Sequence, residues 1–194
     1  MTEDKTSRKQ ILLKEAARLF REKGYISSSL RELAKRAGIQ GGSIYHHFES
    51  KQAILFQLMD KTMTDMVTNL SDLLADNDDP EEKLRTLLRF YIEYNICGPD
   101  ETYITEDELR NLDPGNYLQV IAKRDTYQKL CEDVFLAGRE LGWQFADHKL
   151  MARAVIQMGT GVTRWYKPDG PLSIDQIADQ YADLLVRGLL PRPA

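Results

Sequence analysis

The sequence predicts an all-α protein, and three observations support this fold class. Apolar side chains recur at spacings of three and four residues along most of the chain, as they do on one face of an α-helix. No sustained stretch alternates apolar and polar residues in the way a half-buried strand does. Glycine and proline fall between the periodic segments rather than inside them. We therefore expect a chain of about nine helices.

The boundaries of these helices follow from local start and stop signals. Gly24 and Gly38 suit the left-handed conformation that ends a helix, and the serines at residues 27–29 offer a hydroxyl that caps the next one. Ser173 and Gln176 have the spacing of a capping box. The expected helices cover about residues 7–23, 27–38, 41–47, 50–76, 81–96, 103–112, 116–141, 147–166 and 173–188.

Charge is distributed unevenly along the chain, although the formal net charge is only −4. Residues 1–51 contain 11 lysines and arginines against 6 acidic residues, whereas the remainder contains 15 against 24. A basic segment can bind phosphates while an acidic body keeps the protein soluble. We expect a head at residues 1–51 and a body at residues 52–194, with the boundary inside the long fourth helix. Ordinary charge scatter between two domains is the alternative explanation.

The composition points to the cytoplasm and away from membranes and disulfides. No apolar run approaches the roughly 18 residues that a membrane-spanning helix needs, and the polar start of the chain lacks the apolar stretch of a signal peptide. Cys97 and Cys131 lie far apart and match no Cys-x-x-Cys spacing. We expect two reduced, partly buried thiols, because the cytosol keeps thiols reduced. A disulfide or a metal pair is the alternative.

Three short helices near the start of the chain suggest a DNA-binding helix-turn-helix. Residues 37–39 separate the second helix from the third, and Gly38 can take the left-handed conformation that the turn requires. The small core between these two helices is expected to contain Leu30, Leu33, Ala34, Ile39 and Ile44. Helices joined by a glycine also occur in proteins that never touch DNA, so this pattern alone leaves both interpretations open.

The same segment resembles the N-terminal signature of TetR-family repressors. The matching positions are Gly24-Tyr25, Ser28–Ala34, Ala37–Ile39, Gly42–Phe48 and Ser50-Lys51. The resemblance covers about a quarter of the chain and implies a homodimeric repressor that binds a palindromic operator in double-stranded DNA. It also implies an all-helical body that encloses a ligand cavity, with two last helices that form a four-helix bundle with a partner subunit.

The resemblance assigns the DNA contacts to side chains of the head. Ser28, Arg31 and Lys51 are expected to bind phosphates, although Ser28 acting only as a helix cap is an alternative. The residues expected to reach base edges, thymine methyls or the DNA backbone from the third helix are Gln40, Ser43, Tyr45 and His46. Gly41 stands where the family often has a longer side chain. Since glycine cannot read a base, we expect few base contacts and a contribution from DNA shape.

The body loosely resembles the TetR subgroup that controls fatty-acid and sterol breakdown and senses acyl-CoA thioesters. This resemblance rests on the segment Arg164–Ser173 and on the arginines of the middle helices. The side chains expected to bind the phosphates of coenzyme A are Arg110, Arg124 and Arg164. The apolar lining for an acyl chain is expected from Phe90, Tyr94, Met158 and Trp165. Core packing of the aromatic residues and solvation of the arginines are the alternatives.

The last two helices carry the expected dimer interface. Small residues in the eighth helix permit close approach of another helix, and the ninth helix carries an apolar face. The residues assigned to the interface are Ala152, Gly159, Ile177, Tyr181, Leu184 and Leu185. Without the resemblance, the four residues of the last helix would be assigned to the core of the chain.

The sequence contains no recognisable catalytic or metal-binding motif. It has no glycine-rich phosphate loop, no His-Glu-x-x-His sequence and no nucleophile elbow. His46 and His47 are adjacent, so on a helix they point about 100° apart and do not suit chelation of one metal. We expect a regulator without cofactor or metal rather than an enzyme. A TetR-like DNA-binding protein that has lost its ligand response and acts through protein partners is the alternative.

Overall fold

The computed structural model describes the backbone of residues 2–190 and the side chains of residues 8–190. Within that range the chain contains helices and no β-strand, and the predicted all-α class is confirmed. The eight α-helices are α1 (Thr2–Lys23), α2 (Leu30–Arg36), α3 (Lys51–Ala75), α4 (Pro80–Cys97), α5 (Pro99–Asp107), α6 (Pro114–Gly138), α7 (His148–Val162) and α8 (Ile174–Leu189). The described residues also form three 3-10 helices, η1 (Gly41–His46), η2 (Leu109–Asn111) and η3 (Arg139–Leu141).

Several helix ends follow the signals read from the sequence. Gly24 has a φ of +79°, and its amide donates to the carbonyl of Phe20 over 2.8 Å, which ends α1. The Ser173 side chain accepts a hydrogen bond from the Gln176 amide, and the Gln176 side chain accepts one from the Ser173 amide. The predicted capping box therefore opens α8.

Other boundaries differ from those expected, mainly because of two prolines. Pro99 begins α5 and Pro114 begins α6, so both helices start earlier than predicted. Proline suits the first position of a helix because its fixed φ matches the helix and its missing N–H has no partner there. The expected third helix is the 3-10 helix η1, and α7 ends at Val162, before the expected end at residue 166.

The described chain divides into two compact units, each built from two segments of sequence. The head unit contains the described residues up to Thr64 together with Pro99–Lys123. The body unit contains Asp65–Gly98 and the described residues from Arg124 onward. One division falls between α4 and α5, and the other two fall within α3 and α6, so each of these last two helices contributes residues to both units.

Each unit has its own apolar core. In the head unit, α1 packs against α2 and α5, and the buried side chains include Leu12, Ala16, Leu19, Phe20, Leu33, Ile44 and Ile104. In the body unit, α4 packs against α7 and α8, and the buried side chains include Leu84, Leu87, Leu88, Ile92, Val155, Ala178 and Ala182. Among the described helices, none is long and apolar enough to cross a membrane.

Candidate nucleic-acid interface

Helix α2, the turn that follows it and η1 form a helix-turn-helix in the head unit. Gly38 in the turn has a φ of +66°, as the sequence predicted. The amide of Ile39 donates to the carbonyl of Ala34 over 3.0 Å, which closes the end of α2. The core between the two helices contains the buried side chains of Leu33, Ala34 and Ile44. This core sets the angle at which η1 follows α2.

The side chains expected to read bases lie at the surface around η1. Tyr45 is 62% exposed, so its ring is accessible to a partner outside the chain. Gln40 and His46 are exposed, and Ser43 is half-buried. On α2, Arg31 is exposed as well. Four of these side chains are accessible to a partner outside the chain, and their contacts with DNA stay a prediction.

An open groove of about 850 Å³ lies beside α2 and is lined by Ser29, Arg31, Glu32, Lys35, Arg36, Ile39 and Gly41. Arg36 is held by Glu22, with Nη2 2.6 Å from Oε2. Arg31 and Lys35 are exposed, and two exposed cations in a groove suit the phosphates of a nucleic acid. Lys35 was not among the predicted contacts. Its position four residues after Arg31, on the same face of one helix, is the sequence signal that could have indicated it as a further candidate for phosphate contact.

The structure corrects the prediction that Ser28 binds a phosphate. Ser28 is buried, and its hydroxyl donates to the carbonyl of Tyr25 over 2.7 Å. The next residue, Ser29, caps α2 instead, since its side chain accepts a hydrogen bond from the Glu32 amide over 3.2 Å. A hydroxyl that is buried and bonded within the chain is not available to an external phosphate.

Lys51 is half-buried, and its ammonium group is bonded within the head unit. Nζ donates to the carbonyl of Tyr25 over 2.7 Å and to that of Ser28 over 2.8 Å. It also lies 4.2 Å from the centre of the Tyr25 ring, within range of a cation–π interaction. Burial lowers the pKa of Lys51, and the negative charge of Glu108 opposes that shift. Lys51 therefore closes the turn between α1 and α2, and its contact with a phosphate stays a prediction.

The three arginines expected to bind coenzyme A phosphates have different surroundings. Arg110 lies on η2 in the head unit and is exposed. Arg124 on α6 is half-buried, and Arg164 is exposed in the turns that follow α7. Arg124 and Arg164 both belong to the body unit. The structure therefore does not place all three in one unit, and their contacts with an effector stay a prediction.

The predicted apolar lining is brought together only in part. Phe90 and Tyr94 are neighbours on α4, with ring centroids 5.6 Å apart, and both are half-buried. Met158 on α7 is half-buried too. Trp165 is 49% exposed and lies in the turns after α7, not within a helix. Trp165 is therefore a surface side chain of the body unit rather than part of its interior.

Tyr127 on α6 is a buried residue of the body unit that belongs to the resemblance to the acyl-CoA-sensing subgroup but was not assigned a ligand contact. It is 4% exposed, and its ring centroid lies 5.9 Å from that of Tyr91. Among the described residues, its hydroxyl has no hydrogen-bond partner. Burial, with smaller effects from Cys131 and Tyr91, raises the pKa of Tyr127, so the phenol stays protonated and can donate. A buried donor without an acceptor costs about 1–3 kcal/mol, which marks this position as one where a ligand acceptor would be favourable.

Three residues assigned to the dimer interface are buried within the chain itself. Ala152 and Gly159 on α7 and Ile177 on α8 are buried in the body unit, where both helices pack against α4. Their assignment to a partner subunit is therefore corrected: small and apolar side chains here serve packing within the chain. The other three assigned residues, all on α8, are half-buried or exposed: Tyr181, Leu184 and Leu185.

The cysteines and acidic clusters show no further site in the described part of the chain. Cys97 is exposed and Cys131 is buried, and both are free thiols. No group of three or more His, Cys, Asp or Glu side chains among the described residues is arranged to hold a metal ion.

The head unit is of the class that binds DNA through a helix-turn-helix. A sequence profile described as bacterial regulatory proteins of the tetR family matches residues 12–58. A second profile, described as a tetracyclin repressor-like C-terminal domain, matches residues 77–189. The two profiles together match most of the chain.

Curated relatives and solved structures are similar over nearly the whole chain. The transcriptional repressor KstR2 of Mycobacterium tuberculosis is 30% identical over 186 residues, covering 94% of this chain and 93% of that one. The structure of the TetR-family regulator PfmR from Thermus thermophilus has a TM-score of 0.82 and 33% identity, covering 93% of this chain and 99% of that one. AibR, solved in complex with isovaleryl coenzyme A and operator DNA, has a TM-score of 0.82 and 28% identity, covering 92% and 97%.

The chain belongs to the TetR family of bacterial transcriptional regulators. It is a DNA-binding regulator and not an enzyme, as the sequence predicted.

Proposed function

We propose that the protein is a homodimeric repressor that binds a palindromic operator and is released from it by a small-molecule effector. The observation that carries the proposal is the set of exposed side chains on the helix-turn-helix: Arg31, Gln40, Tyr45 and His46. They offer the hydrogen-bonding groups and the apolar surface that base edges, thymine methyls and phosphates require. Such a repressor acts in the cytoplasm, where the bacterial chromosome lies.

A palindromic operator requires two heads related by a two-fold axis. The recognition elements must lie about 34 Å apart to enter successive major grooves. Helix α8 supports dimerisation because Leu184 is 64% exposed and lies beside the half-buried Leu185 and Tyr181. An apolar centre of this kind, surrounded by polar side chains, is typical of a subunit interface. We assign dimerisation to this face of α8.

The proposed effector is a small apolar acid joined to coenzyme A as a thioester. Similarity to AibR supports this class, because AibR was solved with isovaleryl coenzyme A bound. Within the body unit, the aromatic pair Phe90 and Tyr94 offers apolar surface, and the buried hydroxyl of Tyr127 offers a donor for a thioester carbonyl. Arg124 and Arg164 are the body-unit candidates for contact with the phosphates of coenzyme A.

Release from DNA follows if the effector prefers a conformation in which the two heads no longer fit the operator. The loss of DNA affinity then equals the difference in effector affinity between the two conformations. Helices α3 and α6 are the candidates to carry this change, since each contributes residues to both units.

Operator binding is tested by electrophoretic mobility shift with the DNA upstream of the protein's own gene. Tyr45→Ala is expected to weaken binding about tenfold or more, because it removes an exposed side chain that we propose contacts the major groove of DNA. Arg31→Ala is expected to weaken binding to all DNA sequences about equally. It should also reduce the slope of log affinity against log salt concentration by about one, as expected for the loss of one phosphate contact. Tyr103→Ala is the matched control, since Tyr103 is a 37% exposed tyrosine on α5, outside the helix-turn-helix. Wild-type binding by both head variants would contradict the proposal.

Effector release is tested by titrating the protein–operator complex with isovaleryl coenzyme A, longer acyl-CoA thioesters and free coenzyme A. Tyr127→Phe removes only the buried hydroxyl, so we expect about tenfold weaker effector binding with unchanged operator affinity. Folding stability should stay equal or rise, because the variant no longer buries an unpartnered donor. If no thioester shifts the complex, the effector part of the proposal is wrong and operator binding stands on its own test.

Dimerisation is tested by sedimentation of Leu184→Glu. A carboxylate at a position that is 64% exposed in the single chain leaves the fold intact but would be buried on association. We expect monomers at concentrations where the wild type is dimeric, with far-UV circular dichroism unchanged. A dimer of wild-type affinity would place the interface elsewhere.

A further inference from the structure

Glu108, which lies between α5 and η2, is a buried carboxylate bonded to the turn between α1 and α2. It is 7% exposed, and Oε1 accepts a hydrogen bond from the Tyr25 amide over 2.9 Å. Oε2 accepts a hydrogen bond from Nδ2 of Asn111. A buried carboxylate is costly unless its oxygens are bonded, and here both oxygens have a donor. The contact between Glu108 and the turn is therefore a specific one, in which both carboxylate oxygens are hydrogen-bonded.

The same turn is held from a second side by Lys51. The amide of Tyr25 is bonded to Glu108, and its carbonyl is bonded to Nζ of Lys51. The turn leads directly to Ser29, which caps α2. Because α2 begins where this turn ends, the bonds at Tyr25 set the position of α2 and of the exposed Arg31 that it carries.

The segment that contains Glu108 also contacts the start of α3. Gln52 donates to the carbonyl of Asn111 and accepts a hydrogen bond from the Asp113 amide over 3.3 Å. Residues 108–113 therefore touch both flanks of the helix-turn-helix, the turn before α2 and the first turn of α3. They lie immediately before α6, which continues into the body unit.

We propose that Glu108 is a positioning residue for operator binding: it holds the turn between α1 and α2 in the conformation that presents α2 to DNA. We further infer that effector binding weakens this contact, an inference that rests on the effector response proposed above. The contact suits such a role because it depends on one carboxylate. Hydrogen bonds weaken steeply when their length or angle changes, so a small movement of residues 108–113 releases the turn.

The test uses Glu108→Gln in the full-length protein, because this change removes the charge with little change in shape. The neutral amide can still accept from the Tyr25 amide, but a hydrogen bond to a neutral acceptor is about half as strong as one to a carboxylate, and the NH2 group of Asn111 loses its acceptor in its present orientation. We expect operator affinity to fall about tenfold or more, and hydrogen exchange at the amides of residues 25–29 to rise. Exchange in the body unit should stay at the wild-type level. Asp107→Asn, the exposed neighbour, is the matched control and should bind the operator like wild type.

A second variant distinguishes a positioning role of Glu108 from a general loss of folding stability. Glu108→Gln combined with Asn111→Asp reverses the donor and acceptor of the lost hydrogen bond and restores it. We expect the double variant to regain most of the operator affinity and the protection of residues 25–29. Wild-type operator affinity in Glu108→Gln, or increased exchange spread evenly over the chain, would overturn the positioning role, as would failure of the double variant to recover.

The inference that effector binding weakens the contact of Glu108, here called the effector step, is tested by a separate measurement. A coenzyme A thioester that releases the wild-type protein from the operator should raise hydrogen exchange at residues 25–29 of the free protein. Release without that rise overturns the effector step and leaves the proposed repressor function intact. If no thioester releases the wild type, the effector step fails together with the effector part of the proposed function. The affinity loss in Glu108→Gln and its rescue still decide whether Glu108 positions the head.

Discussion

The ring of Tyr91 on α4 lies so close to Gly159 on α7 that no side chain fits between them. A Cβ at residue 159 would stand 2.5 Å from Cδ1 of Tyr91, well inside van der Waals contact. The hydroxyl of Tyr91 is hydrogen-bonded to that of Thr160 over 3.0 Å, which holds the ring in place. Gly159 therefore serves close packing of α7 on α4 within one chain, not close approach between two subunits.

Gly159→Ala is expected to destabilise the protein by roughly 1–3 kcal/mol, because the added methyl group forces Tyr91 or the helices apart. Urea unfolding followed by circular dichroism measures this free energy. Gly161→Ala is the matched control on the same helix: a Cβ there meets nothing within 4 Å. Alanine also favours a helix over glycine, so this control should be as stable as wild type or slightly more stable. Equal stability of the two variants would mean that Tyr91 moves aside without cost.

Arg85 on α4 is bonded to Asp183 on α8, with Nη2 2.5 Å from Oδ1, and to Glu81 over 2.9 Å. These two carboxylates raise the pKa of Arg85 further, so the guanidinium is charged at every pH at which the protein folds. Alanine substitutions at Arg85 and Asp183 are expected to couple by about 1 kcal/mol in a double-mutant cycle, since Asp183 is partly exposed to solvent. The coupling should decrease in high salt.

The pair of Lys83 and Asp78 is the control for that cycle. Its atoms are 4.0 Å apart and the Asp78 side chain is fully exposed, so we expect no measurable coupling between the two substitutions. A coupling at Arg85 and Asp183 no larger than at this surface pair would show that the contact between α4 and α8 does not depend on the ion pair.

Features that depend on neighbouring residues in the chain could be predicted from the sequence. Gly24 and Gly38 both adopt positive φ, and the Ser173–Gln176 capping box forms, because a turn or a cap is decided within a few residues. The signature of the head works in the same way. Its residues are close in sequence, so their spacing already contains most of the local geometry.

The features that the sequence did not predict share a different cause. Three serines in a row all suit an N-cap, and the bond from Ser28 to Tyr25 decides that Ser29 takes that role. The sequence also did not predict that carbonyl groups more than twenty residues away accept hydrogen bonds from the ammonium group of Lys51. Glu108 is separated from Tyr25 by 83 positions, so no local pattern indicates that the two meet.

Three of the six dimer assignments fall on residues buried within the chain for a related reason. Ala152 and Gly159 indicate that some helix packs closely against α7, and the sequence does not say whether that helix belongs to the same chain. The structure places α4 there. Leu184 stays a candidate for the dimer interface because it is exposed at the surface and does not belong to the core. Only the fold reveals this exposure.

Gly38→Ala tests the turn of the helix-turn-helix. A φ of +66° costs an alanine roughly 1–2 kcal/mol, although a Cβ there would meet nothing within 4 Å. We expect that loss of unfolding free energy in chemical denaturation, with a smaller loss for Gly38→Asn, because asparagine tolerates this conformation better. Gly41→Ala is the control, since Gly41 lacks positive φ and has free space around it. A larger loss for Gly41→Ala than for Gly38→Ala would show that η1, and not the turn, limits stability.

The two cysteines should differ sharply in reactivity. Cys131 is fully buried, and burial raises its pKa from about 9 to about 12, so almost no thiolate forms at pH 8. Cys97 is exposed. Ellman's reagent at pH 8 is expected to modify one thiol rapidly in the native protein and both in denaturant. Cys97→Ser should remove the rapid phase, whereas Cys131→Ser should leave it unchanged.

The raised pKa of Cys131 also predicts how its contribution to stability depends on pH. Between about pH 9 and pH 12 the folded protein keeps this proton while the unfolded chain loses it. The contribution of Cys131 is therefore fully present below pH 9 and falls as pH rises through that window, by up to about 1.4 kcal/mol per unit. The unfolding free energy of the wild type should decrease more steeply than that of Cys131→Ala from pH 9 to pH 10.5. Parallel slopes, or rapid modification of Cys131 in the native protein, would mean that this part of α6 opens to water far more readily than its burial implies.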